Sequence, residues 1–379
     1  MKSSHVLNSL FVLLICLPLA VMVVGIGQNY SRTGEKRELA VFPEFEWNLP
    51  ALTAFPKEVK EYFADNFGLR YELIQLHNAW HVHVLNTSPN TKVVLGKEGW
   101  LFLRSAIDSQ NKKLLADDEV ANWVEVMEKR SRWVESQGAH FLFVVVPNKA
   151  TVYPEYVPGN LKLQDLSTTD QVIQALNRQS DVNVLDLREY LVGKKSEGLL
   201  YDLTDTHWND RGAFLAASEI VRQLRTTFSE IAPLNSSECE FFASERASGE
   251  LAELLLLNDE FQEDAIRCRM RGPLLWQGIP SPKRDYDRHP DRMVSTVNSR
   301  LEFPKVLMLR DSFTTRMVPF LSSVFSEVHY VWETDQLDVG RIESNQPDIV
   351  ILAVVERFLP RIPELAKLIR DHTSKNVTH

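Results

Sequence analysis

The sequence predicts an α/β protein in which a parallel β-sheet is flanked by helices and preceded by an N-terminal membrane anchor helix. Short apolar runs of strand length alternate with segments whose apolar residues return every three or four positions. Strands separated by helices in this way are typical of parallel sheets that are covered on both faces. The predicted strands are residues 141–146, 182–187, 305–309, 328–332 and 348–354, and the predicted helices are residues 119–136, 169–178, 211–228, 313–324 and 363–371.

The N-terminal segment is the clearest single feature of the chain. Residues 10–26 are apolar apart from the helix breakers Pro18 and Gly25, which makes a stretch just long enough for a tilted membrane span. No small-residue cleavage site follows, and Ile15 stands before Cys16 where a lipoprotein site needs a small residue. We therefore predict an uncleaved signal anchor at residues 1–29, with a cleaved signal peptide as the alternative.

The remainder of the chain divides into a linker and one large domain. Residues 30–56 are polar at first and then carry Pro43, Pro50 and Pro56 between aromatic residues, which predicts a linker. The domain occupies residues 57–379. It begins with a helical pattern over residues 57–85 and a predicted hairpin over residues 93–103. Residues 233–300 break the alternation of strands and helices, and we interpret them as an insertion.

Composition and charge exclude some functions and leave others open. The net charge of −9 argues against a general nucleic-acid binder, which would need a basic surface. Cys239 and Cys268 form either one disulfide or two free thiols. His77 and His81 are four residues apart, so they could share a helix face as metal ligands, but no carboxylate accompanies them. We interpret them as part of a polar helix face and expect neither a metal nor a cofactor.

A locally basic stretch lies within the insertion. Residues 267–300 carry eight basic residues against three acidic ones, in a chain that is acidic overall. Such a patch is either a surface for an anionic partner or a solvated loop with internal ion pairs. The basic residues are Arg267, Arg269, Arg271, Lys283, Arg284, Arg288, Arg292 and Arg300.

Two short segments carry the candidate catalytic chemistry. In an extended segment, Asp205 and His207 would project on the same side, so the carboxylate could orient the imidazole as a general base. Ser312 is the candidate nucleophile, since it follows a predicted strand at the start of a helix. The alternatives are helix capping by Asp205 and by Ser312. There is no Gly-x-Ser-x-Gly elbow, no phosphate loop and no dinucleotide fingerprint.

Several motifs together resemble one protein family, the AlgJ/AlgX-type alginate O-acetyltransferases, whose fold is similar to that of the SGNH hydrolases. The pairing of Asp205-Thr206-His207-Trp208 with Asp311-Ser312-Phe313 is the most specific part of the resemblance. Further matching segments are Asp65-Asn66-Phe67-Gly68-Leu69-Arg70, Gly96-Lys97-Glu98-Gly99-Trp100-Leu101-Phe102, Val146-Pro147-Asn148-Lys149, Tyr153-Pro154 and Pro347-Asp348-Ile349-Val350. The resemblance implies an SGNH hydrolase-like, flavodoxin-like sheet in residues 57–379.

The resemblance also implies an activity. Asp205 would orient His207, His207 would activate Ser312, and Ser312 would pass an acetyl group to a hydroxyl of a bacterial exopolysaccharide in the periplasm. The acetyl donor would come through a membrane-bound O-acyltransferase, and the N-terminal helix would hold the protein on the inner membrane, as in the anchored AlgJ type. The alternatives are a carbohydrate acetylesterase with the same triad and a non-catalytic component of a polysaccharide secretion complex.

The oxyanion donors are the least determined part of the predicted site. The residue before Asp311-Ser312 is Arg310, where SGNH hydrolases usually have glycine, so the donors cannot be assigned by motif. We expect the backbone N–H of Ser312 to serve, with Asn148 second. Lys149, Trp208 and Arg310 are further candidates for contact with the oxyanion or the substrate, because they flank the same motifs.

Overall fold

The computed structural model describes residues 2–24, 39–45, 47–271, 275–281, 289 and 292–362. The chain forms two units, one made of residues 1–95 and 250–261 and the other of residues 96–249 and 262–379. The helices are α1 (Lys2–Val24), α2 (Leu49–Asn66), α3 (Arg70–His83), α4 (Arg104–Gln110), α5 (Asp117–Ser136), α6 (Lys149–Val152), α7 (Thr168–Gln179), α8 (Leu187–Gly193), α9 (Asp210–Leu224), α10 (Glu250–Leu255), α11 (Val318–Val324) and α12 (Val339–Asn345). The strands are β1 (Val93–Leu95), β2 (Leu101–Leu103), β3 (His140–Val146), β4 (Val184–Asp186), β5 (Cys239–Ala247), β6 (Glu263–Met270), β7 (Gln277–Ile279), β8 (Val294–Val297), β9 (Lys305–Arg310), β10 (Glu327–Val331) and β11 (Ile349–Val355).

The first unit contains α1, α2, α3, β1 and α10. Among the described residues, α1 alone is long and apolar enough to cross a membrane, over His5–Met22 with a mean hydropathy of 2.2. Helix α2 begins at Leu49, inside the segment that the prolines predict to be a linker. Asn48 caps this helix by accepting a hydrogen bond from the Ala51 N–H at 2.8 Å, and Pro50 fits its first turn, where no N–H donor is needed.

The helical pattern predicted over residues 57–85 is present, but it is divided between α2 and α3. The break falls at Gly68 and Leu69. Leu69 has a φ of 60°, in the left-handed region, so a single continuous helix cannot pass through this position. Apolar periodicity alone does not reveal the break, because both helices keep the same three-and-four spacing.

The second unit is built on a seven-stranded sheet in the order β4-β3-β11-β9-β10-β8-β7. The first five strands in this order are mutually parallel, which confirms the α/β prediction and each of the five predicted strands to within two residues. Every residue of β11 is buried, as are six of the seven in β3, and α5 and α7 pack on one face of the sheet. The helix predicted over residues 363–371 lies outside the described residues.

Residues 233–300 are not a single insertion outside the sheet. They contain an antiparallel ribbon and two strands of the main sheet. Strands β5 and β6 form an antiparallel ribbon, and a disulfide joins Cys239 to Cys268 across it with a Cα–Cα distance of 5.8 Å. Strands β7 and β8 extend the main sheet in antiparallel fashion beyond β10. The short edge strands contain only three and four residues, too few for periodicity to identify them.

The carboxyl ends of the parallel strands meet at one edge of the sheet. Asn148 and Lys149 follow β3, Ser312 follows β9, and Glu356 follows β11. This is the edge at which α/β proteins gather their functional side chains. The predicted convergence of residues 148, 149 and 312 at this edge therefore follows directly from the strand order.

Candidate active site

Ser312 is the first residue of a 3-10 helix, Ser312–Met317, that begins where β9 ends. Asp311, not Ser312, caps this helix: its Oδ1 accepts from the Phe313 N–H at 3.0 Å, and its Oδ2 accepts from the Val355 N–H at 2.8 Å. Burial raises the pKa of Asp311, whereas the two N–H groups act in the opposite direction. The capping alternative for Ser312 is therefore wrong, and its hydroxyl is available to another partner.

That partner is His207, which also contacts Asp205. Asp205 Oδ1 accepts from the backbone N–H of His207 at 2.9 Å and lies 2.7 Å from its ring Nδ1. On the other side of the ring, Nε2 lies 2.7 Å from Ser312 Oγ. The carboxylate, imidazole and hydroxyl thus form one hydrogen-bonded chain, the arrangement in which a serine can be activated as a nucleophile.

Lys149 holds the loop that carries this histidine. Its side chain is buried, and Nζ donates to the carbonyl oxygens of Asp202 at 2.8 Å, Leu203 at 2.7 Å and Asp205 at 2.8 Å. All three ammonium donors are therefore committed to the loop. Burial lowers the pKa of Lys149 to about 7, against the opposing effect of nearby carboxylates. The predicted contact of Lys149 with the oxyanion or substrate is not what the structure displays; Lys149 fixes the loop backbone.

A second clamp acts on the same loop from the β5–β6 ribbon. The carboxylate of Glu263 accepts from the backbone N–H groups of Leu203 at 2.6 Å and Thr204 at 2.7 Å. The Thr204 hydroxyl in turn accepts from the Gly249 N–H at 2.8 Å. Sequence reasoning missed Glu263, because it lies 60 residues from Leu203 in a segment with no recognisable motif.

The loop leads into α9 through Trp208 and Asn209. Trp208 is buried, and its Nε1 donates to the Phe313 carbonyl at 3.0 Å, which links the histidine loop to the serine helix. Asn209 caps α9 by accepting from the N–H groups of Arg211 at 3.0 Å and Gly212 at 3.1 Å. Asp205 therefore does not cap the helix, and its carboxylate is used on His207.

Asn148 and Arg310 lie beside the triad but are engaged elsewhere. Asn148 is buried, its N–H donates to Glu356 at 2.6 Å, and its side chain contacts Ser109 at 3.4 Å. Arg310 donates to the Arg292 carbonyl at 2.7 Å and lies over the Trp332 ring, so it ties the end of β9 to a neighbouring segment.

Arg357 is a polar residue of the site that sequence reasoning missed. Its guanidinium donates to Asn148 Oδ1 at 3.1 Å and lies over the ring of Phe313, the residue after the serine. Its position in the sequence could have identified it, because Arg357 follows a predicted strand just as Asn148 and Ser312 do. A half-buried cation over the residue that follows the candidate nucleophile could contact an anionic substrate or leaving group.

The other candidate residues have contacts of their own. In α3, His77 contacts Asn78 and His81 contacts Thr87, while the two rings are 4.5 Å apart. In the basic stretch, Arg267 lies 3.7 Å from Asp210 and Arg269 lies over Phe242. Lys283, Arg284 and Arg288 lie outside the described residues.

Comparisons with known proteins agree with this architecture. A family model described as "SGNH hydrolase-like domain, acetyltransferase AlgX" matches residues 93–270. A probable alginate O-acetylase AlgJ of Pseudomonas syringae pv. tomato is 24% identical over 322 residues, which cover 82% of this chain and 80% of that protein. Over about four fifths of its length, the chain is therefore similar to proteins of the AlgJ/AlgX type.

Two further similarities concern part of the sequence and the fold. The probable alginate O-acetylase AlgJ of Pseudomonas aeruginosa is 28% identical over 172 residues, covering 45% of this chain and 43% of that protein. The solved structure of Bacillus cereus PatB1 has a TM-score of 0.54 at 16% identity and covers 70% of this chain and 96% of that one. The match to the family model ends at residue 270, before Ser312, so the serine is indicated by the geometry of the site.

Proposed function

We propose that this protein is an O-acetyltransferase that passes an acetyl group through Ser312 to hydroxyls of an alginate-like exopolysaccharide in the bacterial periplasm. The observation that carries the proposal is the hydrogen-bonded chain from Asp205 through His207 to Ser312, with both heavy-atom distances at 2.7 Å. The relatives named alginate O-acetylase and the acetyltransferase family match support the reaction class and the polymer.

The first half of the reaction forms an acyl-enzyme. Ser312 Oγ attacks the acetyl carbonyl of the donor while His207 Nε2 takes the hydroxyl proton. The negative charge of Asp205 stabilises the resulting imidazolium through Nδ1. As the tetrahedral intermediate collapses, the bond to the donor's leaving oxygen breaks, that oxygen takes the proton from His207, and the acetyl group remains on Ser312.

The second half transfers the acetyl group to the sugar. His207, again neutral, removes a proton from an acceptor hydroxyl, whose oxygen attacks the acetyl carbonyl of the acyl-enzyme. The bond to Ser312 Oγ then breaks, and His207 returns the proton to the serine. No net proton is gained or lost, because each half-reaction begins and ends with neutral imidazole.

The developing oxyanion needs donors that are in place before the reaction. The Ser312 N–H opens the 3-10 helix Ser312–Met317, where the first N–H groups have no acceptor within the helix. We assign this N–H as one donor. Asn148 remains the second candidate, because its side-chain amide has two N–H donors and the bond to Ser109, 3.4 Å long, uses one of them.

The cellular setting follows from α1 and from the chemistry of the donor. A helix of this length and hydropathy would anchor the protein to the inner membrane, with the triad on the periplasmic side. Because the periplasm is separated from cytoplasmic acyl donors, the acetyl group would be supplied through a membrane-bound O-acyltransferase. The anchor would keep the acceptor serine close to that partner.

The proposal is tested with the full chain in detergent, as wild type and as Ser312→Ala. Each is incubated with a chromogenic acetyl ester, and intact mass is followed for addition of one acetyl group, with and without an alginate oligosaccharide. We expect an adduct on wild type alone, discharged onto the sugar. Discharge only to water would identify an esterase instead, and an adduct of equal yield on Ser312→Ala would refute the role of the serine.

A further inference from the structure

Helix α3 exposes an apolar side. Leu73, Leu76, Trp80 and Val84 are 45%, 69%, 57% and 57% exposed. Their spacing of three, four and four residues places them on one side of the helix and of its C-terminal cap, and we call this set the α3 stripe. Single exposed apolar residues are ordinary, whereas a contiguous exposed row marks a surface that contacts something other than water.

The opposite side of α3 is polar where it is buried. Asn78 is 8% exposed, and its side-chain amide donates to the carbonyl of Leu255 in α10 at 2.8 Å. A helix at the surface of a water-soluble unit normally buries its apolar side and exposes its polar side. The partly buried Ile74 and Val82 lie on the same side of α3 as Asn78, so the stripe is a second, exposed apolar side and not the side that faces the unit.

The corner between α2 and α3 packs against the candidate membrane helix within the same unit. Gly68 and Pro18 are both buried, and a Cβ atom placed on Gly68 would lie 2.1 Å from the Pro18 carbonyl oxygen and 2.7 Å from the Met22 nitrogen. Pro18 and Met22 belong to the last turns of the span His5–Met22. On the span His5–Met22, the corner therefore lies against the C-terminal end of the segment that would cross the membrane.

Exposed apolar residues surround this corner on both sides. Phe63 and Phe67 at the end of α2 are 45% and 42% exposed. Leu76 is eight residues beyond Gly68, so it lies within about 12 Å of it along the helix. The headgroup region is only about 5–8 Å deep on each side of the hydrocarbon core, so α3 must run along the interface for Leu76 and Trp80 to lie in it. Aromatic residues such as Trp80 are enriched in this layer.

We infer that the α3 stripe and the α2–α3 corner form a membrane-contact face that rests in the interfacial layer of the bilayer. The occupant of the face is lipid, because the contact of Gly68 with Pro18 and Met22 sets the depth of the face from within the unit. The inference rests on α1 acting as the anchor proposed above, but not on the acetyl-transfer chemistry. This contact would hold the unit flat against the membrane as a second attachment beside the span.

Spin-label accessibility in a bilayer tests this inference. The full chain with Cys16→Ser is reconstituted into nanodiscs of phosphatidylethanolamine and phosphatidylglycerol, and a nitroxide is attached to Leu73→Cys or Leu76→Cys. The matched control is Glu72→Cys, an exposed residue beside the stripe on the same helix. Collisions with oxygen, which partitions into lipid, and with a water-soluble nickel chelate are measured. We expect an oxygen-to-nickel ratio several-fold higher at residues 73 and 76 than at residue 72.

Labelling the native Cys16 tests the membrane anchor separately from the membrane-contact face. Cys16 is a free, exposed thiol in α1 and can be labelled in the otherwise unchanged protein. If Cys16 is shielded from nickel while residues 73, 76 and 72 are equally accessible to it, the membrane-contact face is refuted and the anchor stands. Shielding of residues 73 and 76 from both reagents would also refute it, since a protein surface would then cover the stripe. Nickel access at Cys16 would refute both.

Discussion

At the scale of single residues, the carboxylate of Asp205 uses one oxygen for two hydrogen bonds. Oδ1 accepts both from the backbone N–H of His207 and from the ring Nδ1. The first bond fixes the side chain by a local turn, and the second fixes the imidazole tautomer that leaves Nε2 facing Ser312. The same oxygen atom thus orients the imidazole and carries negative charge. Substitutions of Asp205 can separate these two contributions.

Replacing Asp205 by asparagine or by alanine should separate them. The asparagine side chain keeps a neutral acceptor in the position of Oδ1 but loses the charge that stabilises the imidazolium, so we expect Asp205→Asn to slow acylation by about 10²–10⁴-fold. Asp205→Ala also loses the orienting bond and should be slower still. The burst of chromophore from an acetyl ester measures this rate.

The control for this pair is Asp165→Asn, the same change at an exposed carboxylate. It should acylate at the wild-type rate. Wild-type acylation by Asp205→Ala would show that the carboxylate has no part in the reaction, whatever its distance from His207.

At the scale of elements, the loop from Asp202 to His207 is held from three sides by parts of the chain that are distant in sequence. Lys149 at the start of α6 binds its carbonyl groups, Glu263 of β6 binds its N–H groups, and Gly249 packs against it. A loop has few hydrogen bonds of its own, so these contacts supply the rigidity that the triad needs.

Gly249→Ala should disturb the triad without touching it. A Cβ atom at residue 249 would lie 2.5 Å from the Asp205 backbone nitrogen and 2.6 Å from its Cβ, both closer than real contacts allow. The loop must shift, and a displacement of about 1 Å at a catalytic group costs about 10²-fold in rate. We expect acylation to fall by about that factor while the far-ultraviolet circular dichroism spectrum is retained.

Gly159→Ala provides the matched control, because nothing lies within 4 Å of the Cβ that it adds. Its acylation rate should equal that of wild type. Equal rates for Gly249→Ala and Gly159→Ala would mean that the loop yields without moving Asp205.

Local patterns in the sequence were sufficient to predict the strands and helices in the middle of the fold. Buried strands such as β3 and β11 have continuous apolar runs, because both faces are covered, and the helices between them keep regular spacing. Sequence patterns did not predict those features of the fold that depend on tertiary contacts. The left-handed Leu69 divides two helices of identical periodicity. Strand β8 is stabilised by pairing to β10, and β7 by pairing to β8, more than either is by its own composition.

The same distinction applies to the site. Asp205, His207 and Ser312 could be proposed from residue type, spacing and family resemblance, and the strand order then accounts for a separation of 105 residues closing to 2.7 Å. Lys149 was proposed to contact the oxyanion or the substrate, and its position after a strand could not reveal that its ammonium binds three carbonyl groups. Glu263 gave no signal, because its partners are two backbone N–H groups and the Thr204 hydroxyl, which no sequence motif connects to it.

At the scale of the whole molecule, a buried network joins the strand ends beneath the site. Glu356, which follows β11, accepts from the Asn148 N–H and from the Thr151 hydroxyl, and Arg188 lies 3.6 Å from its other oxygen. Burial raises the pKa of Glu356 from 4.5 to about 7, with Arg188 acting in the opposite direction. The carboxyl group therefore changes its charge near neutral pH inside the folded protein.

This titration should make stability depend on pH. Because the folded state holds the proton more tightly than the unfolded state, the contribution of Glu356 is complete below pH 4.5 and is lost as the pH rises toward and through 7. Between pH 5 and pH 8 the loss amounts to about 2–3 kcal/mol of unfolding free energy. Glu356→Gln cannot ionise, so the variant should lose correspondingly less stability over this range.

Denaturant unfolding of the full chain in detergent at pH 5 and pH 8 measures this difference, with Glu189→Gln as the control at an exposed carboxylate. Asp202 also has its pKa raised by burial, to about 6, and contributes equally to wild type and to both variants. The comparison between variants therefore isolates Glu356. If Glu356→Gln and Glu189→Gln lose the same stability between the two pH values, Glu356 is ionised throughout this range, and Arg188 compensates its burial completely.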